Sequence, residues 1–294
     1  MSSIAHRSAT NQLKVLLDDA SGRLSAAGVD SPRLDAELLL AFAAGVTREA
    51  LFGTLIVIDD ALCERYASLL SRRAARMPLA YIVGHREFYS LELEVSSEVL
   101  IPRPETELLV AAALEVLASR PVASVLDLAT GSGAIALAIA ANAPHVRVTA
   151  TDVSAQALAI AARNATRHAL DMRIEFRLAD CWEVLDGGDA LGRSDLIVAN
   201  PPYVRNDQIA SLAQEIRAFE PRLALAGGAD GLNFYHRIID GVRRHLAPDG
   251  TAIVEVGEGQ AGDVATFFRA KGFDNIALLK DFANIQRVIR VHAA

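Results

Sequence analysis

The residues best suited to chemistry stand together at Asn200-Pro201-Pro202-Tyr203. A planar nitrogen, whether of an amide or a ring amine, is a poor nucleophile because its lone pair is delocalised. Acceptors on its two N–H groups reduce that delocalisation and hold the nitrogen in line with an electrophile. The Asn200 side-chain carbonyl can take one N–H and the Pro201 backbone carbonyl the other. Pro202 has no N–H and a fixed φ, and it biases Pro201 towards extended geometry, so the direction of that carbonyl is set in advance. Tyr203 offers an aromatic wall. The same four residues could be a plain polar turn, since Asn-Pro is an ordinary turn signal. What lies upstream weighs against that reading.

Asp195-Leu196-Ile197-Val198-Ala199 is an apolar run with the length of a buried parallel strand, which puts the tetrapeptide at a strand's carboxyl end, where open α/β sheets bind ligands. From about residue 108 strand and helix patterns alternate, as a parallel sheet covered on both faces requires. The first strand, Val125 to Leu128, runs into Ala129-Thr130-Gly131-Ser132-Gly133 and then a helix from Ala134 to Ala141. Glycines there let the backbone approach a ligand, and the helix start supplies free N–H groups. A dinucleotide fingerprint needs a third glycine, which is missing, and the acid Asp127 lies inside the strand. The pattern suits S-adenosylmethionine better, which has an ammonium to satisfy and no pyrophosphate.

The second strand, Val146 to Thr151, ends at Asp152, whose carboxylate can accept from both ribose hydroxyls. Asp152 could instead cap the helix from Ala155 to Leu170, a task that Ser154 can also perform. The third strand, Ile174 to Leu178, leads to Asp180-Cys181-Trp182, where an acid can accept from an adenine amino group between apolar flanks. Trp182 suits a core position equally well. Three strand ends therefore serve a cofactor and the fourth an acceptor. A helix from Phe234 to Leu246, a turn at Pro248-Asp249-Gly250, a strand from Thr251 to Val256, a helix from Gln260 to Lys271 and strands from Ile276 to Leu279 and Val288 to Val291 complete the expected fold.

Residues before 85 are helical in period. Leu13, Leu16, Leu17 and Ala20 mark one face; Ser31-Pro32 opens a helix with Leu34, Leu38, Leu39 and Phe42 inward. Thr47 caps a short helix, and Asp59-Asp60 opens one through Leu62, Tyr66, Leu69 and Leu70. This bundle holds no cluster of catalytic residue types, so recognition is its expected task. Arg72, Arg73 and Arg76 read as a solvated helix end, with a docking contact as the alternative. Pro78 and Gly84 break the pattern, a hairpin is expected over Phe88 to Val95, and Ile101-Pro102-Arg103-Pro104-Glu105-Thr106-Glu107 is stiffer than a linker needs to be, which suggests a place beside the site. Thr106 or Glu105 opens the helix carrying Leu108, Leu109, Val110 and Leu114.

Composition narrows the classes. At 294 residues two domains are expected. Hydrophobic residues make up 52% and mean hydropathy is +0.25, but much of this is alanine, and no apolar run approaches the ~20 residues that span a bilayer. The N-terminus lacks an apolar signal core. Cys63 and Cys181 lie far apart and outside metal-ligand spacing, as reduced thiols of a cytoplasmic protein without a metal would. A net charge of −7 argues against bulk nucleic acid as the main partner.

The chain resembles the PrmC/HemK family, methyltransferases that modify a glutamine side chain in peptide-chain release factors. The resemblance spans nearly the whole chain: Pro78-Leu79-Ala80-Tyr81, Gly84 with Arg86-Glu87-Phe88, the stretch from Ile101 to Glu107, Asp127 with Gly131 to Gly133, Asp152, Asn200 to Tyr203, Glu220-Pro221-Arg222-Leu223-Ala224-Leu225, and Asp230-Gly231-Leu232. Asn-Pro-Pro-Tyr alone is shared with amino methyltransferases of nucleic acids; the proline-rich stretch and Glu-Pro-Arg-Leu single out this family. The resemblance implies a small all-helical domain (1–85), a hairpin and proline-rich connector (86–107) and an α/β, Rossmann-like S-adenosylmethionine-dependent methyltransferase domain (108–294). It implies that Asp127, Ala129, Thr130, Gly131, Ser132, Gly133, Asp152, Asp180, Cys181, Trp182 and Asn200 contact the cofactor. Asn200, Pro201, Pro202 and Tyr203 would then hold the glutamine amide of a Gly-Gly-Gln loop in class I release factors, with Asn200 and Pro201 catalytic and neither nucleic acid nor membrane as a direct partner. Two positions depart from the family pattern, which usually has glycine where Ala129 and Asn284 stand. An amino methyltransferase of nucleic-acid bases, a dinucleotide-dependent reductase and a binding module without catalysis are the competing readings. The first would need a basic recognition segment, the second a third glycine, and the third leaves Asn200 to Tyr203 unexplained.

Overall fold

Leucines at helical spacing wind the first stretch of the chain into α1 (Ser2–Ala26), α2 (Pro32–Ala44), the single turn α3 (Ala50–Gly53), α4 (Asp60–Ala74) and α5 (Leu79–Val83). The computed structural model describes residues 2–53, 56–120, 122–183 and 192–293. Pro32 begins α2 where a missing N–H costs nothing, Gly45 ends it at φ 67°, and the Asp59 side chain caps α4 by accepting from the Leu62 N–H at 2.8 Å. Leu17, Leu24, Leu39, Leu40, Leu51, Leu62, Tyr66 and Leu70 share one core, each leucine worth roughly 1.5–3 kcal/mol of transfer from water.

Helix α2 is turned relative to the sequence expectation. Leu34 and Phe42 are exposed, Leu39 is buried as expected, and Asp35, Ala36, Leu40 and Ala41 are buried with it. The inward acid is made affordable by Arg73, whose Nε lies 2.7 Å from Asp35 Oδ2. Arg73 is consequently buried and Arg76 half-buried, which corrects the reading of these two as part of a solvated helix end, while Arg72 is exposed as that reading expects. A later segment explains the rest: residues Ala213–Phe219, containing α9 (Gln214–Phe219), cluster with Met1–Gly84 as one compact unit. Glu215 of α9 pairs with Arg73 at 3.1 Å and with Arg76 at 2.6 Å.

The second unit comprises His85–Leu212 and Glu220–Ala294. It opens with a hairpin, β1 (His85–Phe88) and β2 (Leu91–Glu94), whose two-residue turn holds Tyr89 and Ser90 at φ 50° and 62°, so the expected strand pair begins three residues early. A 3₁₀ turn (Pro104–Thr106) leads into α6 (Glu107–Leu117). There follow β3 (Ala123–Leu128), α7 (Ala134–Asn142), β4 (Val146–Asp152), α8 (Ala155–Arg167), β5 (Ile174–Leu178), β6 (Ser194–Ala199), α10 (Asn233–His245), β7 (Leu246–Glu255), α11 (Ala261–Ala270), β8 (Asn275–Lys280) and β9 (Gln286–His292). Helix α7 is buried from Ala134 through Ala140, as its apolar circumference requires.

One seven-stranded sheet runs in the order β5-β4-β3-β6-β7-β9-β8, parallel from β5 to β7, with β9 antiparallel to both its neighbours. The chain winds outward from β3 to β5 and then returns to the other side of β3 as β6, so the order reverses beside β3. Leu128 pairs with both Thr151 and Ala199, and Ala199 pairs with Val254. Ala129, Asp152, Asn200 and Glu255 therefore leave the sheet at one level. Pro248-Asp249-Gly250, expected as a turn before the strand, lies inside β7 where the register to β6 shifts, with Asp249 at φ 58°.

Candidate active site

The turn after β3 is held from beneath. The Thr130 N–H donates to the Thr151 carbonyl at 2.9 Å, and the Gly131 N–H donates to Asp152 Oδ2 at 2.8 Å. Ala129 and Gly131 both take left-handed backbone, φ 57° and 58°. A Cβ on Gly131 would meet open space, whereas one on Gly133 would run into Leu137 and Ala161, so helix packing by itself requires glycine at 133. Asp127 lies under the turn with no exposure, accepts from the Thr130 hydroxyl at 2.6 Å and leaves Oδ1 without a partner. Burial pushes its carboxyl up to about 7. From α8, the buried Asn164 accepts from the Glu94 N–H at 2.7 Å and donates to the Ser132 carbonyl at 3.0 Å, tying the hairpin to this turn.

Asp152 is not the cap of α8: Ser154 accepts from the Ala157 N–H at 3.1 Å and performs that task. The Asp152 carboxyl accepts from the Gly131 and Ser154 N–H groups, which fixes it at the strand end, and burial raises it from the ordinary carboxylate value while these bonds pull it back. Asp180 pairs with Arg237 at 2.7 Å. Cys181 is buried, its thiol pushed up to about 11 by desolvation. Trp182 faces away: it donates from Nε1 to the Arg237 carbonyl at 2.7 Å and stacks on His245 at 4.7 Å between ring centroids, a core position.

At the end of β6, Asn200 donates from Nδ2 to the Thr106 Oγ1 at 3.1 Å. In this arrangement the amide nitrogen is the end that faces Thr106, and among the described residues no group engages Oδ1 or the Pro201 carbonyl. Behind the loop, Gln260 donates to the Tyr203 carbonyl at 3.0 Å, the Val204 N–H donates to the Leu225 carbonyl and the Gly227 N–H to the Val204 carbonyl, and a Cβ on Gly227 would stand 2.8 Å from Tyr203 backbone atoms. Arg103 of the proline-rich stretch donates to Glu220 Oε1 at 2.6 Å, joining two motifs 117 positions apart.

These pieces enclose a cavity of about 670 Å³, within the range that holds small-molecule ligands. Ala129, Thr130, Gly131, Ser132, Asp152, Asp180, Cys181, Asn200 and Pro202 line it, together with Leu100, Pro102, Arg103, Thr106, Arg222, Leu223, Phe234 and Arg237. Asp127, Gly133, Pro201, Tyr203 and Trp182 stand outside the lining. Tyr203 packs instead on the core between the sheet and α10, its hydroxyl 3.4 Å from Glu255 Oε1.

Residues 16–84 match the PrmC N-terminal domain family and residues 105–228 the Methyltransferase small domain family. A release factor glutamine methyltransferase of Caulobacter vibrioides is 40% identical over 276 residues, 92% of this chain and 92% of its own length. The chain belongs to the release factor glutamine methyltransferase family. A second member, from Cereibacter sphaeroides, is 41% identical over 91% of this chain and 93% of its own. The catalytic domain of hMettl16, solved with the MAT2A 3′UTR hairpin 1, superposes with TM-score 0.57 at 17% identity, covering 77% of this chain and 83% of that one, a likeness of fold alone.

In this member of the family the residues present suit S-adenosylmethionine. Asp152 supplies a carboxylate for a diol at the strand end, Gly131 an open backbone rim, and Asp127 an orphaned acidic oxygen below the turn, complementary to an ammonium. Among the described residues no cluster of His, Cys, Asp and Glu could hold a metal, and no helix is long and apolar enough to cross a membrane. Asn164, Gln260 and Glu255 support the site without having been singled out from sequence for that task, whereas Thr106 lies in the proline-rich stretch expected beside it.

Proposed function

We propose that this chain methylates the side-chain amide nitrogen of the glutamine in the Gly-Gly-Gln loop of class I peptide-chain release factors, in the cytoplasm, with S-adenosylmethionine as donor. One observation carries the reading beyond family membership: Thr106 takes an N–H of the Asn200 amide, so that its carbonyl is left at the cavity wall, one residue before the Pro201 carbonyl. Two acceptors at one strand end match the two N–H groups of a primary amide.

Asn200 Oδ1 and the Pro201 carbonyl each accept an N–H, which pulls the amide nitrogen's lone pair out of conjugation and aims it. The bound cofactor supplies a methyl group on a sulfonium, an electrophile that needs neither metal nor strong base. Asp152 accepts from the ribose hydroxyls, the turn from Ala129 to Ser132 takes the amino-acid end, and Asp180 and Cys181 border the base. Leu100, Pro102 and Leu223 are among the apolar residues that line the cavity, and a loop whose flanking glycines lack Cβ atoms would enter it most easily. A short loop offers few contacts, so the helical unit is the surface left for holding the rest of the factor. The two free thiols accord with a reducing compartment.

The test is mass spectrometry of a class I release factor after incubation with the protein and S-adenosylmethionine. A single methyl increment on the Gly-Gly-Gln peptide is expected. An unmodified factor, with methyl transfer to DNA or RNA in its place, would overturn the reading.

A further inference from the structure

Behind Asn200 stands a buried chain of polar groups that the binding roles above leave unused. Thr106 is 4% exposed and Glu255 2% exposed. The Thr106 hydroxyl accepts from Asn200 Nδ2 at 3.1 Å and lies close enough to the Glu255 carboxyl to favour its ionised form; Glu255 Oε1 has the Tyr203 hydroxyl at 3.4 Å and Oε2 has no partner. The β6–β7 register brings Asn200 and Glu255 to neighbouring places, since Ala199 and Val254 are paired and the next residues are Asn200 and Glu255.

The direction of the protons matters. A hydroxyl has one hydrogen, and an ionised carboxylate can only accept. With Glu255 ionised, Thr106 donates to it and must accept from Asn200, which leaves the Asn200 carbonyl for the acceptor nitrogen. A protonated carboxyl or a carboxamide at 255 can donate to Thr106, releasing the Thr106 hydrogen towards Asn200. The amide then turns over and sets N–H against N–H.

We propose that Glu255 is a positioning residue: by accepting from Thr106 it fixes which end of the Asn200 amide meets the acceptor, an assignment that rests on the proposed reaction for its kinetic readout. Several groups face the Glu255 carboxyl: Thr106 and Glu105 from the 3₁₀ turn, Tyr203 from the loop after β6, Tyr235 from α10 and Arg287 from β9. Burial dominates among these influences and lifts the carboxyl to about 7, so the switch lies within reach of ordinary buffers.

The experiment compares Glu255→Gln, Thr106→Val and Thr106→Ser with the full-length parent. Turnover on a release factor is measured at saturating S-adenosylmethionine, and cofactor affinity by calorimetry. We expect Glu255→Gln and Thr106→Val to lower kcat by roughly tenfold or more with cofactor Kd within about twofold, Thr106→Ser to recover most of the rate, and the Glu255→Gln/Thr106→Val pair to be no slower than the slower single variant. A second readout needs no turnover: the Asn200 side-chain amide signals, assigned by their loss in Asn200→Asp, should shift with pH near neutrality in the parent and not in Glu255→Gln or Thr106→Val. Unchanged kcat in Glu255→Gln, additive losses in the pair, or an amide titration that survives Thr106→Val would each overturn the proposal. If the parent methylates no release factor while its amide titrates and both variants abolish that titration, the proposed substrate fails and the positioning role stands.

Discussion

Ala129→Gly puts a glycine at the start of the cofactor turn, and the structure says what it should do. Ala129 sits at φ 57°, a left-handed conformation that costs an L residue roughly 1–2 kcal/mol. Its neighbour cannot relax, because the Thr130 N–H is bonded to the Thr151 carbonyl at 2.9 Å in the adjacent strand. Glycine removes the native strain but loosens the unfolded chain by roughly 0.4–1 kcal/mol. The net effect on unfolding is thus between about nil and about 1.5 kcal/mol of stabilisation. The chain's one tryptophan, Trp182, is buried in the unit that holds the turn, so its fluorescence during urea unfolding reports on the right part of the molecule. Affinity for S-adenosylmethionine, measured by calorimetry, should rise or stay level. A variant that unfolds at lower urea, or binds the cofactor more weakly, would show that the Ala129 methyl group packs usefully against the cavity and that the strain argument is wrong. Ala129→Val supplies the opposite sign, since a β-branched residue tolerates positive φ less well.

Three further outcomes are expected. Asn200→Ala removes one of the two acceptors and should lower turnover on the order of 10²-fold at saturating cofactor; steady-state rates near those of the parent would strip Asn200 of its role. Asp152→Ala should weaken S-adenosylmethionine binding by roughly 1.5–3 kcal/mol for each bond lost before compensation, and calorimetry giving parental affinity in a folded variant would remove Asp152 from the cofactor site. For Glu215, burial pushes the carboxyl up, but the hydrogen bonds from Arg76 and Arg73 outweigh it and hold the group at about 2. A depressed native value means stability that is fully present above the ordinary carboxylate range and is lost as pH falls from about 4.5 towards 2. Glu215→Gln should therefore flatten acid unfolding of the helical unit, followed by circular dichroism; superimposable acid curves would show that the ion pair contributes nothing there.

How far the site could be read from residues alone follows from which contacts are local. The strand–turn–acid pattern at Asp127 to Gly133, Asp152 and Asn200 is local to each βα unit, and a parallel sheet brings such ends together in any order of strands. The helix rotation at α2 was missed because apolar residues at 34, 38 and 42 satisfy the period as well as the buried set does. Only the distant Arg73 makes burial of Asp35 tolerable. Trp182 suited both a ligand wall and a core, and its Nε1 bond to the Arg237 carbonyl, from a helix some fifty residues on, decides for the core. Pro248-Asp249-Gly250 was legible as irregular backbone, while its accommodation inside β7 depends on the bulge against β6.

The two departures from the family pattern illustrate the same division between local and distant causes. Ala129 and Asn284 both occupy positive-φ positions, 57° and 64°, where glycine is the easy choice. Asn284 is tolerated on its own chemistry, since asparagine enters this region readily, and its turn is tied down by Asp281, which accepts from the Ala283 and Ile285 N–H groups and pairs with Arg287 at 3.0 Å. Ala129 has no such side-chain help and is held by backbone bonds from the neighbouring strand. Strain at position 284 can thus be absorbed within its own hairpin. Strain at 129 is carried by the same β3–β4 pairing that sets Asp152 beneath the cofactor turn, so a change there is felt in binding as well as in stability.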